Sequence, residues 1–277
     1  MNLRKIFSRG VRWIIKGVPN NIVQANISYL RPDARLEGKR IIVTGGSRGL
    51  GFAMAQKFMR EGAAVLIAGR NESVLRKASE QLGCEFLVLD VACIDTFESF
   101  LTEAESRLRG VDVLVNNAGI SLHEGNFRNV SLNQFESQFD TNLKGGYFLS
   151  QKFVARLEEK KQGGSILFVS SERGSYVDDL PYGLTKVAVN SLVQGLSNRL
   201  VKSGIRVNAV APGVTTSEMT GFKADGNLYC DYNINDRVYL PEEVAEVATF
   251  LLSDASKCLN GQILVCNEGK SINAHWR

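Results

Sequence analysis

Thr44-Gly45-Gly46-Ser47-Arg48-Gly49-Leu50-Gly51 follows directly on the β-branched run Ile41-Ile42-Val43 and leads into a segment with helical periodicity. A strand that runs through glycines into a helix makes a turn whose backbone can approach a ligand closely. Glycine tolerates the dihedrals and has no Cβ to hold the ligand off, while the free N–H groups and dipole at a helix start favour negative charge. The turn therefore predicts a pyrophosphate site, with Thr44, Gly45, Ser47, Arg48, Gly49, Leu50 and Gly51 as candidate contacts. A purely structural glycine turn has the same local signature, so the decision rests on what surrounds it.

Outward from this turn the chain alternates short β-branched runs with helical patterns, the signature of a parallel sheet covered on both faces. Strands are expected at 40–44, 64–68, 85–89, 111–116, 165–170, 206–211 and 262–266, with helices between them. The fold class is α/β: one doubly wound parallel sheet with helices on both faces. Residues 36–277 form this domain, residues 1–35 are an extension without the alternation, and the unpatterned stretch 215–240 is a candidate lid.

The second expected strand ends at Ala68-Gly69-Arg70, about twenty residues past the turn, where an NAD site places a carboxylate against the ribose 2′-hydroxyl. Arg70 stands there instead. A guanidinium forks onto a 2′-phosphate, and Arg48 offers a second cation, so NADP(H) is preferred, with NAD(H) left open. The alternative is that Arg70 merely caps its strand in solvent. Asp90, with Val91 beside it after the third strand, is the candidate acceptor for the adenine amino group, although an Asp that starts a helix is also common.

Tyr182 and Lys186 lie four apart in a stretch read as helix over 182–196, so both side chains project from one face. A phenol with a reference pKa near 10 is a poor base at neutrality, and a neighbouring ammonium is expected to bring it closer. Ser171 follows the fifth strand at the carboxyl edge of the sheet, where ligands bind in open α/β folds, and its hydroxyl can orient a substrate oxygen.

Taken in this order, the motifs resemble those of the compact branch of the short-chain dehydrogenase/reductase family, over nearly all of residues 36–273. Its TGxxxGxG turn is matched by Thr44, Gly45, Gly49 and Gly51, and its NNAG segment by Asn116, Asn117, Ala118 and Gly119. The resemblance implies a Rossmann-type fold and a catalytic set of Asn142, Ser171, Tyr182 and Lys186. Tyr would exchange the proton, Ser polarise the carbonyl, Lys hold the nicotinamide ribose, and Asn anchor a water that links Lys to solvent. The PG turn beside the nicotinamide corresponds to Pro212 and Gly213, with Val214, Thr215 and Thr216 as following contacts. The family implies a homodimer or homotetramer and a carbonyl or alcohol substrate.

Two departures stand out. The loop from Ser171 to Tyr182 is shorter than the resemblance leads one to expect; because SSxxG matches as Ser170, Ser171 and Gly174, the deletion is placed in the loop, with Ser170 as the fallback. Asn267-Glu268-Gly269 replaces the more usual acidic-Gly-Gly ending. A non-catalytic NADP-binding scaffold is the alternative in another class, and the intact catalytic set argues against it. A nucleotide-sugar epimerase or dehydratase of the longer branch would more often space its glycines TGxxGxxG and carry a larger substrate portion.

Composition narrows the rest. The 277 residues are 44% hydrophobic and 22% charged, and the chain has no run near the ~18 apolar residues that span a membrane. A net charge of +4, concentrated near the start, gives little support to nucleic-acid binding. Five cysteines without a CxxC pair point to reducing cytoplasm, and two histidines make a His-rich zinc site an unpromising reading. Residues 1–18 alternate basic and apolar positions as an amphipathic helix would. That segment reads as a peripheral membrane contact, an organellar transit peptide, or a helix docked on its own domain or a partner.

Overall fold

β1 (Arg40–Thr44) shows in five residues why the sheet sits where it does. Ile41 and Val43 point to one face, Ile42 to the other, and all three are fully buried, as only a central strand with helices on both sides requires. The computed structural model describes residues 34–272 apart from 218 and 224; the expected basic helix over 1–18 lies outside the described residues. Seven strands form one parallel sheet: β1, β2 (Ala64–Gly69), β3 (Glu85–Val88), β4 (Val113–Asn116), β5 (Gly164–Val169), β6 (Ile205–Pro212) and β7 (Ile263–Cys266). Their order is β3-β2-β1-β4-β5-β6-β7. It reverses between β1 and β4, whose parallel pairing sets Ile42 beside Leu114. That reversal opens a crevice at the carboxyl ends of the strands, where open α/β sheets bind ligands.

The helices are α1 (Gly49–Arg60), α2 (Glu72–Leu82), α3 (Phe97–Leu108), α4 (Leu132–Phe139), α5 (Gly145–Glu159), α6 (Pro181–Leu200) and α7 (Pro241–Leu252). Local chemistry marks their ends. Asn71 caps α2 by accepting from the Val74 N–H, and Gly83 closes it in the left-handed conformation. Ser131 and Gln134 form a reciprocal capping box on α4, and Pro181 and Pro241 occupy first-turn positions of α6 and α7.

Two apolar layers clamp the sheet. On one face Met54 and Phe58 of α1 and Val244 and Leu251 of α7 pack with Ile41, Val43, Val113 and Leu167. On the other, Phe97 and Leu101 of α3, Leu149 and Phe153 of α5, and Val189 and Val193 of α6 meet Ile42, Leu114, Ile166 and Val207. Each fully buried large side chain contributes about 1.5–3 kcal/mol, so the frame that carries the site is stiff.

The stretch expected as one lid divides in two. Leu228, Cys230, Val238 and Leu240 form a small apolar core of their own, with Val214 and Phe222 against it. Tyr229 bridges to Arg237 and Thr215 to Tyr239, so this inner part is tied to the end of β6. The described residues from 221 to 227 are mainly exposed. Buried apolar side chains, rather than the lack of a periodic pattern, separate the anchored half from the outer one.

Candidate active site

The glycine turn is held from below. Gly45 N–H donates to the Ala68 carbonyl at 2.7 Å, tying the turn to the end of β2, where Arg70 lies exposed. Thr44 Oγ1 accepts from the N–H groups of Asn117 at 3.0 Å and Ala118 at 3.1 Å, and Asn117 Nδ2 donates to the carbonyls of Thr44 and Gly45. Gly45 and Gly49 have φ of +65° and +53°, which favour glycine. A Cβ on Gly51 would overlap the Gly45 carbonyl, whereas one on Gly49 would meet little beyond Ser217 Cβ at 3.9 Å. The result is an open concavity at the start of a twelve-residue helix whose first turn contains no carboxylate. A dinucleotide pyrophosphate fits that concavity and the charge preference of the helix start.

The structure places the other expected contacts unequally. Asn116 is buried and turns away from the edge, donating from Nδ2 to Ser150 Oγ of α5 at 2.9 Å; like Asn117, it braces the scaffold. Gly119 lies beside two of the expected catalytic residues: a Cβ there would sit 3.3 Å from Asn142 Oδ1 and 3.8 Å from Lys186 Nζ. Asp90 Oδ1 accepts from the Ala92 N–H at 3.0 Å, and Val91 is buried against Gly145. Ser47 and Leu50 are half-buried, while Arg48 is exposed at the helix start. Pro212 ends β6. Gly213 is walled by Tyr239 and Asn267, and the Tyr239 N–H donates to the Val214 carbonyl and the Thr220 hydroxyl to the Thr215 carbonyl.

Asn142 sits in a π-helical turn, Asp140–Lys144, between α4 and α5. Such single turns concentrate at functional sites because they redirect backbone groups within a helix. Its side chain pairs with Ile120 in both directions, Oδ1 accepting at 2.8 Å and Nδ2 donating at 2.9 Å, and Nδ2 also reaches Thr185 Oγ1 at 3.3 Å. Thr185 in turn donates to the Tyr182 carbonyl at 2.6 Å. Thr185 and the π turn carry no sequence signal that would have singled them out.

Lys186 is buried; its Nζ donates to the Val169 carbonyl at 2.9 Å and lies 5.5 Å from the Tyr182 ring centre. Loss of water lowers its pKa to about 8. The Tyr182 phenol shifts upward, chiefly through burial; the Ser171 hydrogen bond and the Arg173 charge oppose the shift, and Glu172 adds to it. The expected acidification of the phenol by Lys186 is therefore not seen: desolvation is the largest influence on the phenol and lowers the ammonium's pKa as well.

Ser171 is buried, lies close enough to Tyr182 to pull the phenol's pKa down, and accepts from the Arg173 N–H at 3.2 Å. The fallback, Ser170, faces elsewhere: its hydroxyl donates to Asn190 Oδ1 in α6 at 2.6 Å. The short loop between Ser171 and Tyr182 is braced by Arg173, whose Nε donates to Asp178 Oδ2 at 2.6 Å. Asp178 Oδ1 accepts from the Leu180 N–H, and a Cβ on Gly183 would overlap the same carboxylate. An ion pair packed against the first turn of α6 thus fixes this loop.

Comparison with known proteins points the same way. Residues 45–271 match the family described as Enoyl-(Acyl carrier protein) reductase. An uncharacterized oxidoreductase of Mycobacterium bovis is 33% identical over 86% of this chain and 98% of its own. A 3alpha-hydroxysteroid dehydrogenase of Mediterraneibacter gnavus is 34% identical over 83% of this chain and 95% of its own. Among solved structures, a 3-ketoacyl-(acyl-carrier-protein) reductase from Brucella melitensis complexed with NADH has a TM-score of 0.78 at 27% identity, covering 86% of this chain and all of that one.

Proposed function

The chain belongs to the short-chain dehydrogenase/reductase family, oxidoreductases acting on CH–OH and C=O carbons, and from that premise we propose that it is an NADP(H)-dependent carbonyl reductase with Tyr182 as its acid/base. The observation that carries this reading is the meeting of Tyr182, Ser171, Lys186 and Asn142 beside Gly119, at the carboxyl edge that also holds the glycine turn.

The bound dinucleotide supplies the hydride. The chain supplies position and protons. Gly45, Gly49 and Gly51 form the concavity for the pyrophosphate, and Arg70 and Arg48 offer cations to a 2′-phosphate. Ser171 donates a hydrogen bond to the substrate oxygen and polarises the carbonyl. Tyr182, kept protonated by burial, donates its phenolic proton to that oxygen as the alcohol forms. Lys186 holds the ribose and keeps positive charge near the phenolate that is left, and Asn142 fixes the Ile120 backbone beside it. Reduction is the preferred direction because an NADP(H) site usually serves reductive metabolism.

The test is a panel of a 3-ketosteroid, a monoterpene ketone and a 3-oxoacyl thioester, followed by absorbance with NADPH and NADH in parallel. NADPH is expected to be oxidised faster by at least one ketone. Tyr182→Phe should lower that turnover by about a thousandfold while NADPH still binds. Unchanged turnover in Tyr182→Phe removes Tyr182 as the proton donor.

A further inference from the structure

Directly after Ser171 in the chain lies Glu172, a buried carboxylate outside the catalytic set. Both its oxygens are held from the turn that follows β7: Asn267 Nδ2 donates to Oε2 at 2.9 Å and Lys270 Nζ to Oε1 at 2.8 Å. Asn267 is itself buried and also donates to Ser271 Oγ at 3.1 Å. Residues 267–271 therefore hold the Ser171 turn through its first residue, Glu172. The same turn reaches two further parts of the site. Lys270 Nζ also donates to Asn233 Oδ1 in the anchored part of 215–240, and Asn267 Cβ walls Gly213 opposite Tyr239.

We propose that Glu172 is a positioning residue for Ser171: clamped by Asn267 and Lys270, its carboxylate holds the Ser171 hydroxyl at a fixed distance from Tyr182 and from the Pro212–Gly213 turn. The unusual Asn267-Glu268-Gly269 ending is the complement of this carboxylate. An aspartate at 267 would face Glu172 with like charge, whereas the asparagine amide donates to it. Glu172 and Asn267 are thus one feature distributed over two distant stretches of sequence.

This inference rests on the proposed role of Ser171, and a double-mutant cycle separates the two. With the ketone reduced fastest in the panel, Glu172→Gln sets an amide against the Asn267 amide and is expected to lower kcat about tenfold, with KM and the NADPH Kd moving by less than about twofold. In a Ser171→Ala background the same change should cost almost nothing further, because the group it positions is gone. Glu172→Gln with Asn267→Asp restores one carboxylate and one amide and should recover most of the rate. A purely structural Glu172 predicts the opposite: the same loss with or without Ser171, or a rise in NADPH Kd that parallels the fall in kcat; either result overturns the proposal. NADPH Kd is read by fluorescence titration, independently of turnover. If Glu172→Gln does not fold, Lys270→Gln takes its place in the cycle, since the Lys270 side chain retains 26% exposure. Full turnover in Ser171→Ala alone would instead overturn the reading of the site on which the inference stands.

Discussion

The glycine turn and the proton-transfer group lie on one edge of one sheet but are built by opposite means. The turn is made of backbone: its shape comes from glycine dihedrals, and Thr44 and Asn117 support it through main-chain groups. The candidate proton-transfer group is made of side chains from three separated segments, and its properties come from how much water its members have lost. Steric sites fail when an atom is added, whereas electrostatic sites fail when a charge or a proton is moved.

Adding an atom should have the larger effect. Gly51→Ala places a methyl group against the Gly45 carbonyl and Asn117 Nδ2. We expect NADPH affinity to fall by about a hundredfold and stability by about 2–3 kcal/mol, read by fluorescence titration and thermal melting. Near-normal affinity would mean that the turn yields, and the contrast between the two regions would break.

Moving a proton tests the other side. Burial holds Lys186 at a pKa of about 8, below the ordinary lysine value of 10.5. Below pH 8 the native state must keep a buried ammonium, which costs stability. Between about 8 and 10.5 the native amine is neutral while the unfolded chain still binds the proton, so stability rises with pH across that window. Lys186→Met lacks this rise. Between pH 7 and 9.5 the wild type should therefore gain about 2 kcal/mol relative to Lys186→Met, measured by urea unfolding at each pH. Parallel pH profiles would show that burial does not govern this lysine.

The smallest effect is expected where the two kinds of site meet. Arg70 is an exposed charge at the end of β2, and its proposed contact is with the 2′-phosphate. Arg70→Ala should weaken NADPH about tenfold and leave NADH nearly unchanged. Equal weakening of both would move the 2′-phosphate contact elsewhere, with Arg48 as the next candidate.

Much of this was legible in the sequence. The seven strands appear where β-branched runs predicted them, with ends displaced by a residue or two; β6, for example, extends to Pro212 because it pairs with Cys266 of β7. Tyr182 and Lys186 were legible because one helix carries both at a fixed spacing. For Asn116 the same kind of reasoning leaves the side chain's direction open. A side chain at the end of a strand can turn toward ligand or toward a helix, and only the position of Ser150 shows that it does the latter.

Local order along the chain thus determined the parallel sheet, the glycine turn and the helix that presents Tyr182 and Lys186, since each depends on dihedral preference and periodicity within a few residues. Tertiary structure decided which serine faces the phenol, the direction in which burial shifts the phenol and the ammonium, and the clasp of Glu172 by Asn267 and Lys270. Those outcomes depend on distance and on lost water, and both arise only when stretches far apart in the chain are folded against one another.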